Sequence, residues 1–460
     1  MRSNISVLTY NILAPKYSGW HSLCPPALLA WDHRGAAIEE ELRAYDCDIV
    51  CLQEVQLDIY EQQLLPSMQG QGYDGMFAAR QPLDSRLPEG IALFWKSAAM
   101  SGGGGGGSSG ISDGGGGSSD SDGGNGSGNN GGFDLVASEV LQLSESGCVP
   151  GIPQRPASAV PRLDAAGERL PSPRGIDMWS LYGQRQEVAL AALLRHRATG
   201  KEVLAACTHL FWNPAYPDVK VMQAAALRNG LHHCLVRLVG EDRAATTAVI
   251  LGGDLNSLWR KYGADYFDKV IPSRGHLTSG VYTLMSTASL SPEHPDHPAM
   301  RRRRGVKAAE AAASAVAAGI RKSFKGVTID GGPLQLRSAY YMAHGREPAL
   351  TTRTHDFAGC LDYVFVTPQH FSVSGTLGLP YSDTPGWRDP MDIPFQPIPG
   401  PVHPSDHLAM GCVLEFVTAP ATTPHTSAKA PRLASRPSKP PPAKPSHTTR
   451  PSSSDRSSYS

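Results

Sequence analysis

Eight polar residues stand where apolar runs begin or end: Asn11, Glu54, His209, Asp254, Asn256, Asp362, Asp406 and His407. The clearest case is ILGGDLNS, Ile250 to Ser257. Val249, Ile250 and Leu251 read as a buried strand, Gly252 and Gly253 permit a tight turn, and Asp254 and Asn256 follow two positions apart. Residues two apart share a side of an extended chain. Such a pair can close an Asx turn, or it can grip water or a metal ion, because a carboxylate and an amide are costly to leave unpartnered in a core. The same form recurs elsewhere. DIVCLQEV delivers Gln53 and Glu54, residues 202–208 deliver His209, CLDYVFVT carries Asp362 and Tyr363 near its start, and HPSDH puts Ser405, Asp406 and His407 on a loop.

These residue types narrow the chemistry. The chain has no Ser or Cys nucleophile in an elbow and no Walker-type phosphate loop. Glycosidase chemistry needs only two carboxylates and would leave the His and Asn residues without a task. Oxygen-rich carboxylate sites suit Mg²⁺ or Mn²⁺, as one or two ions. With two histidines beside them, such ions can hydrolyse a phosphodiester. In that chemistry Asp254 takes the proton of an attacking water and Asn256 orients it. His407 binds the phosphoryl oxygens while Asp362 holds its ring.

The elements that must position these groups are legible as alternating strands and helices. ISVLTYNIL, residues 5–13, alternates as a strand does and carries Asn11. Residues 32–46 space Ala37, Ile38 and Leu42 as a helix, 48–55 form a buried strand, 56–65 read as helical and 91–95 as a strand. Strands follow at 188–194 and 202–208, then the loop Trp212-Asn213-Pro214 and a helix from about Asp218 with Val219, Met222 and Leu227 on one side. A strand, a loop and a helix in this order make the α/β arrangement in which sites are commonly built. The chain closes with strands at 360–367 and 409–417. SPEHPDH, residues 291–297, reads as a rigid surface loop rather than a metal cluster, and RRRR at 301–304 opens an Ala-rich basic helix, a solvated insertion, to about 322.

Composition sets limits. Of 460 residues, Gly 48 and Pro 38 are clustered, so much of the chain cannot pack. Residues 101–132 are almost entirely Gly, Ser, Asp and Asn, and Pro-rich text continues to about 174. The expected organisation is a catalytic domain over 1–418, interrupted by a disordered insertion at about 100–174 and a further insertion at about 259–336, then a disordered Pro/Ser/Thr/Lys tail over 419–460. Net charge is zero, so no global basic field announces a duplex-wrapping protein. Eight scattered cysteines without a CxxC pair read as reduced packing thiols. No apolar run reaches the ~18 residues of a membrane span. The start has no basic-then-apolar leader and enters a strand almost at once, which leaves room for an upstream segment. The expected compartment is cytoplasmic, with nucleus or an organelle as alternatives.

In order along the chain, TYNIL, LQEV, THLFWNP with DVK, GGDLNS, LDYVF and PSDH resemble the endonuclease/exonuclease/phosphatase superfamily, whose fold is that of deoxyribonuclease I. CPPALLAWDHR and ACTHLFWNPAYPDVKVMQ are especially similar to the carbon-catabolite-repressor-type deadenylase branch, with nocturnin and Angel as relatives. The likeness covers roughly 3–95, 185–258 and 337–417. It implies a four-layer α/β sandwich: two central mixed β-sheets flanked by helices, with the site at one rim. It implies Glu54 as principal Mg²⁺ ligand, completed by Asn11, Asp254 and Asn256. It also implies His209 and His407 on the phosphate, Asp362 paired with His407, and Asp406 toward a second metal. Pro214 and Phe357 match positions that sandwich an adenine, and with Trp212 and Asn213 they are the substrate-facing set.

This chain departs from the pattern. The leucine-rich repeats that dock relatives to their scaffold are absent, Glu89-Gly90 stands where Asp-Gly is usual, and Glu187 stands near a common Asn. Three functions follow. The first is a Mg²⁺-dependent 3′→5′ exoribonuclease taking single-stranded RNA, the poly(A) tail of mRNA. The second is a nocturnin-like NADP(H) 2′-phosphatase. The third is a catalytically idle scaffold or interaction protein. A longer open groove favours RNA, and a closed basic pocket favours the dinucleotide, with Arg195, Lys220 and Arg228 as possible basic contributors.

Overall fold

Strand β1 (Asn4–Asn11) explains why the strands look continuously apolar: both of its faces are buried. Val7 points into one hydrophobic cluster, and Leu8 and Tyr10 into another. In β2 (Ile49–Gln56), Ile49 and Cys51 alternate in the same way with Val50 and Leu52. A sheet covered on both sides has no wet face and so shows no polar register.

The computed structural model describes residues 4–80, 88–97, 132–144, 178–261, 276–300, 322–382, 387 and 389–417. The remaining strands of the two sheets are β3 (Tyr73–Ala79), β4 (Glu89–Lys96), β5 (Phe133–Gln142), β6 (Val188–His196), β7 (Glu202–His209), β8 (Ala248–Asp254), β9 (Arg337–Ser338), β10 (Asp362–Val366), β11 (Phe371–Thr376) and β12 (Met410–Phe416). They form two six-stranded sheets, in the orders β11-β12-β1-β2-β4-β3 and β9-β10-β8-β7-β6-β5. Both are mixed: β1 runs parallel to β2, β7 runs parallel to β8, and the other pairings are antiparallel.

The inner faces pack together through Val7, Cys51, Leu93, Leu190, Ala205 and Ile250. Outside the first sheet lie Ile38 and Leu42 of α1 (Trp31–Tyr45). Outside the second lie α2 (Pro217–Val239) and α3 (Gly280–Thr287), with Val219, Met222, Leu227 and Leu284 buried against it. A last short helix, α4 (Ala339–His344), follows β9. The expected four-layer α/β sandwich is present. Among the described residues no helix is long and apolar enough to cross a membrane. Seven described cysteines are free and buried.

Two expectations change. Residues 133–142, read as part of the disordered insertion, form β5, an edge strand paired with β6. Its polar positions Asp134, Ser138, Glu139 and Gln142 weakened its apolar pattern, and even Val136 and Val140 stay exposed. SPEHPDH is packed rather than a surface loop: His297 is buried, and Asp296 accepts the Gly280 N–H at 2.8 Å at the head of α3. The Gly/Ser tract 101–131, the Arg-rich stretch at 301 and the tail from 419 lie outside the described residues.

Candidate active site

The site sits where strand ends from both sheets meet. In the second sheet His209 stands beside Asp254 in the β7–β8 register, and Asp254 stands opposite Asp362 in the β8–β10 register. Three chemically active side chains thus form a row across three adjacent strands. From the first sheet come Asn11, at the end of β1, and Glu54 in β2. The β2–β4 register shifts between Gln53 and Val55, and Glu54 takes φ +57°. The left-handed bulge residue turns its carboxylate out of the strand's alternation. Asn256 is likewise left-handed, at φ +48°. Non-glycine residues rarely adopt this conformation unless their surroundings enforce it.

Asn11 joins the two sheets. Its amide nitrogen donates to Glu54 Oε1 at 3.1 Å and to Asp254 Oδ2 at 3.1 Å, and its oxygen accepts the Leu13 N–H at 3.0 Å. Ala14 N–H donates to the other Glu54 oxygen at 3.1 Å. Asn256 donates its backbone N–H to Asp254 Oδ1 at 2.7 Å, and its amide nitrogen lies 2.9 Å from both His209 Nε2 and the Leu210 carbonyl. His407 Nδ1 lies 2.8 Å from Asp362 Oδ2, which also accepts from Thr351 Oγ1 at 2.5 Å. His407 Nε2 is 3.8 Å from Asp254 Oδ2. Ser405 Oγ donates to the Asn11 carbonyl at 2.7 Å, tying the His407 loop to the end of β1.

Too much negative charge is buried here. Burial, then the charges of Asp406 and Glu89, push the Glu54 carboxyl up to about 8. Burial, then Asp362, push Asp254 up to about 7. Asp362 Oδ1 is buried without a hydrogen-bond partner. Burial works against a charged His407, but Asp362, Asp254 and Asp406 outweigh it and hold the ring well above its usual range. Burial with the Arg80 and His407 charges holds His209 well below, so it is neutral. Nε2 faces the Asn256 amide nitrogen, and Nδ1 is buried without a hydrogen-bond partner.

A divalent cation fits this donor set. Ligand atoms of Asp254, Asp362 and His407 converge within 4.8 Å of one another. His407 Nδ1 is already spent on Asp362, which leaves Asp254 and the unpartnered Oδ1 of Asp362, with Glu54 linked to Asp254 through the Asn11 amide, as the carboxylates that could hold an ion. Hard carboxylate oxygens match a hard cation, and an ion would relieve their repulsion. Asp406 is engaged by His21 Nε2 at 3.1 Å. Burial would raise its carboxyl, but His407 and His21 hold it below the usual range.

A cavity of about 330 Å³ opens on Asp406, His407 and Asn256. Trp212, Pro214 and Phe357 line it, with Lys220 and Lys261. Asn213 does not; its side-chain oxygen accepts the Ala215 N–H at 2.9 Å, so it shapes the turn instead. Of the other cationic candidates, Arg195 pairs with Glu202 on the surface, and Arg228 is buried against the Gly331 and Met285 carbonyls, away from the site.

Sequence reasoning missed four groups. Arg34 is fully buried and donates to the carbonyls of Ile12 at 3.0 Å, Leu13 at 2.8 Å and Pro404 at 3.2 Å. It clamps the two loops that carry Asn11 and His407. Arg80 lies between Glu89, at 3.4 Å, and Glu187, at 3.5 Å. The two departures from the family pattern therefore share one cation. Thr351 and His21 complete the set. Arg34 alone carried a signal, as a charged residue on the otherwise apolar side of a helix.

The sequence profile of the Endonuclease/Exonuclease/phosphatase family matches residues 8–407. Among curated proteins, the CCR4-Not complex 3′-5′-exoribonuclease subunit Ccr4 of Phaeosphaeria nodorum is 24% identical over 421 residues, covering 82% of this chain and 55% of that protein. The 2′,5′-phosphodiesterase 12 of Bos taurus is 24% identical over 427 residues, covering 90% of this chain and 52% of that protein. The chain thus spans about half the length of these relatives. Among solved structures, ANGEL2, described as a 2′,3′-cyclic phosphatase, superposes with a TM-score of 0.56 at 20% identity, covering 90% of this chain and 96% of that one.

Proposed function

The chain belongs to the endonuclease/exonuclease/phosphatase family, and from that premise we propose that it is a Mg²⁺- or Mn²⁺-dependent phosphoesterase removing a ribose-bound phosphate from an adenine dinucleotide of the NADP(H) type. The observation that carries this is the cavity. It holds about 330 Å³, is partly open to solvent, is walled by Trp212, Pro214 and Phe357, sets Lys220 and Lys261 among Asp296, Asp356 and Asp406, and reaches His407. That volume suits one nucleoside rather than a strand. Flat apolar walls favour a base; Lys220 is bonded to the Asn256 carbonyl, and the charged His407 is the group placed to meet phosphate.

Glu54 and Asp254 would hold the metal ion, which would supply charge neutralisation of the phosphate and of the leaving oxygen. Asn11 fixes both carboxylates. Asp254 takes a proton from the attacking water, and Asn256, held by His209 and the Leu210 carbonyl, orients that water. The charged His407 ring donates from Nε2 to a phosphoryl oxygen while Asp362 holds Nδ1–H. Pro214 and Phe357 take the adenine.

The second reading is a 3′→5′ exoribonuclease on poly(A). The exoribonuclease activity of the Ccr4 relative favours it, and the same residues would serve. One experiment separates the two. Purified protein with Mg²⁺ is given NADPH, or a labelled oligoadenylate with upstream non-A residues, each with a Glu54→Ala control. Free phosphate from NADPH with an intact oligonucleotide supports the first reading. Stepwise AMP release that slows at the first non-A residue replaces it with the second. No turnover of either, or turnover that Glu54→Ala leaves intact, removes both.

A further inference from the structure

Trp20 is the most exposed large apolar residue described, at 79%. Its ring lies 6.5 Å from that of Trp212, tilted by 44°. Trp212 is itself half exposed and lines the nucleotide cavity. The pair therefore extends the cavity wall out to the rim. A soluble surface rarely places two indoles side by side in water without a use for them.

The segment carrying Trp20 is held to the site. Its neighbour His21 bonds Asp406 at 3.1 Å, and Cys24 Sγ lies 3.3 Å from the Pro399 carbonyl. The short 3₁₀ turn Pro15–Trp20 is closed by His21 N–H on the Ser18 carbonyl at 3.0 Å. The backbone under Trp20 is thus fixed, while the ring, wet on its outer side, is able to turn. At 6.5 Å and 44° the two indoles touch and form one continuous wall, so a second base would stack on the exposed face of Trp20.

We propose that Trp20 and Trp212 form a second base-stacking subsite, which receives the base of the nucleotide joined to the one seated in the cavity. This deepens the phosphoesterase reading and rests on it. The occupant is a nucleobase rather than an apolar peptide, because the platform is continuous with a cavity that ends on phosphate-binding chemistry. Stacking also tolerates any base, since each offers a π face. The second base has two possible sources, a dinucleotide of the NADP(H) type or an RNA strand, and both offer the same flat ring.

The test compares ligands by calorimetry in Ca²⁺, in place of the catalytic ion, using intact wild-type protein and Trp20→Ala. The ligands are AMP, NADP⁺ and a non-hydrolysable adenylyl-adenosine phosphorothioate. The expected result is a loss of about tenfold in affinity for a two-base ligand relative to AMP, with Trp20→Phe recovering most of it. Loss for NADP⁺ alone or for the phosphorothioate alone identifies the source of the second base and supports the subsite. An equal loss for AMP, or no loss for either two-base ligand, overturns it. Because binding is read without turnover, failure of the subsite is separate from failure of the phosphoesterase reading, which would appear as no hydrolysis by wild-type protein in Mg²⁺.

Discussion

Asp254 and Asp362 stand directly opposite one another on neighbouring antiparallel strands, both almost fully buried. Like charges at facing positions destabilise a sheet. Burial first, and then this facing charge, push Asp254 up to about 7, and together they are the physical reason to expect a cation beside them. Stripping divalent ions with EDTA should therefore lower the melting temperature, and Mg²⁺ should restore it. At about a hundred times its Kd an ion adds roughly 2.7 kcal/mol. In Asp254→Asn the Mg²⁺-dependent shift should shrink to a fraction of the wild-type value. A full shift in that variant, measured by differential scanning fluorimetry, would place the ion elsewhere.

His407 depends on Asp362 for both charge and orientation, through the 2.8 Å contact at Nδ1. Asp362→Asn keeps the shape but removes the charge. The ring would lose its largest favourable electrostatic partner, and its hold on the proton would weaken, leaving Asp254 and Asp406 to sustain it. We expect kcat to fall by about 10²–10⁴ with a much smaller change in KM, the pattern of a group acting in the transition state. Steady-state kinetics on the best substrate decide it, and a drop confined to KM would assign Asp362 to binding only.

Much of this was legible in the chain because the buried strands are short, apolar on both faces, and closed by polar residues that a core would reject. Asp254, Asn256 and Glu54 stood out on those grounds alone. What stayed hidden depended on contacts distant in sequence. Nothing near Arg80 reveals that Glu89 and Glu187 share it, and nothing near His21 points to Asp406. The bulge at Glu54 leaves no local mark, since its residue type does not favour positive φ. Arg195 and Arg228 misled for the opposite reason: a cation in the chain says nothing of the direction it faces. Edge strand β5 was lost because its exposed half read as part of the polar insertion before it.

Arg34 should matter more than any surface charge. It is buried, and burial, its dominant influence, lowers its proton affinity against the raising effect of Asp406. Its guanidinium holds the carbonyls of Ile12, Leu13 and Pro404. Replacing it with Met fills the space but strands those carbonyls, for a cost of about 3–5 kcal/mol in urea unfolding. Arg34→Lys should recover only part of this, because one ammonium cannot span three acceptors in a planar fork. A loss under 1 kcal/mol for Arg34→Met would mean that the clamp is not under strain-bearing load.

Glu347 offers a pH test away from the metal site. It is buried, and Tyr282 donates to its Oε1 at 2.6 Å. Burial is the chief cause that pushes its carboxyl up from 4.5 to about 7. The sign follows from proton binding: between those values the folded chain holds a proton that the unfolded chain has released, so folding stability is greatest below about 4.5 and declines as pH rises toward 7. Above about 7 both states are ionised and the effect is flat. Glu347→Gln keeps an oxygen for Tyr282 and cannot ionise. The variant should gain on wild type by on the order of 2–3 kcal/mol between pH 4.5 and pH 8, read from denaturant midpoints at each pH. Parallel wild-type and variant profiles across that range would show that Glu347 is already ionised in the folded protein.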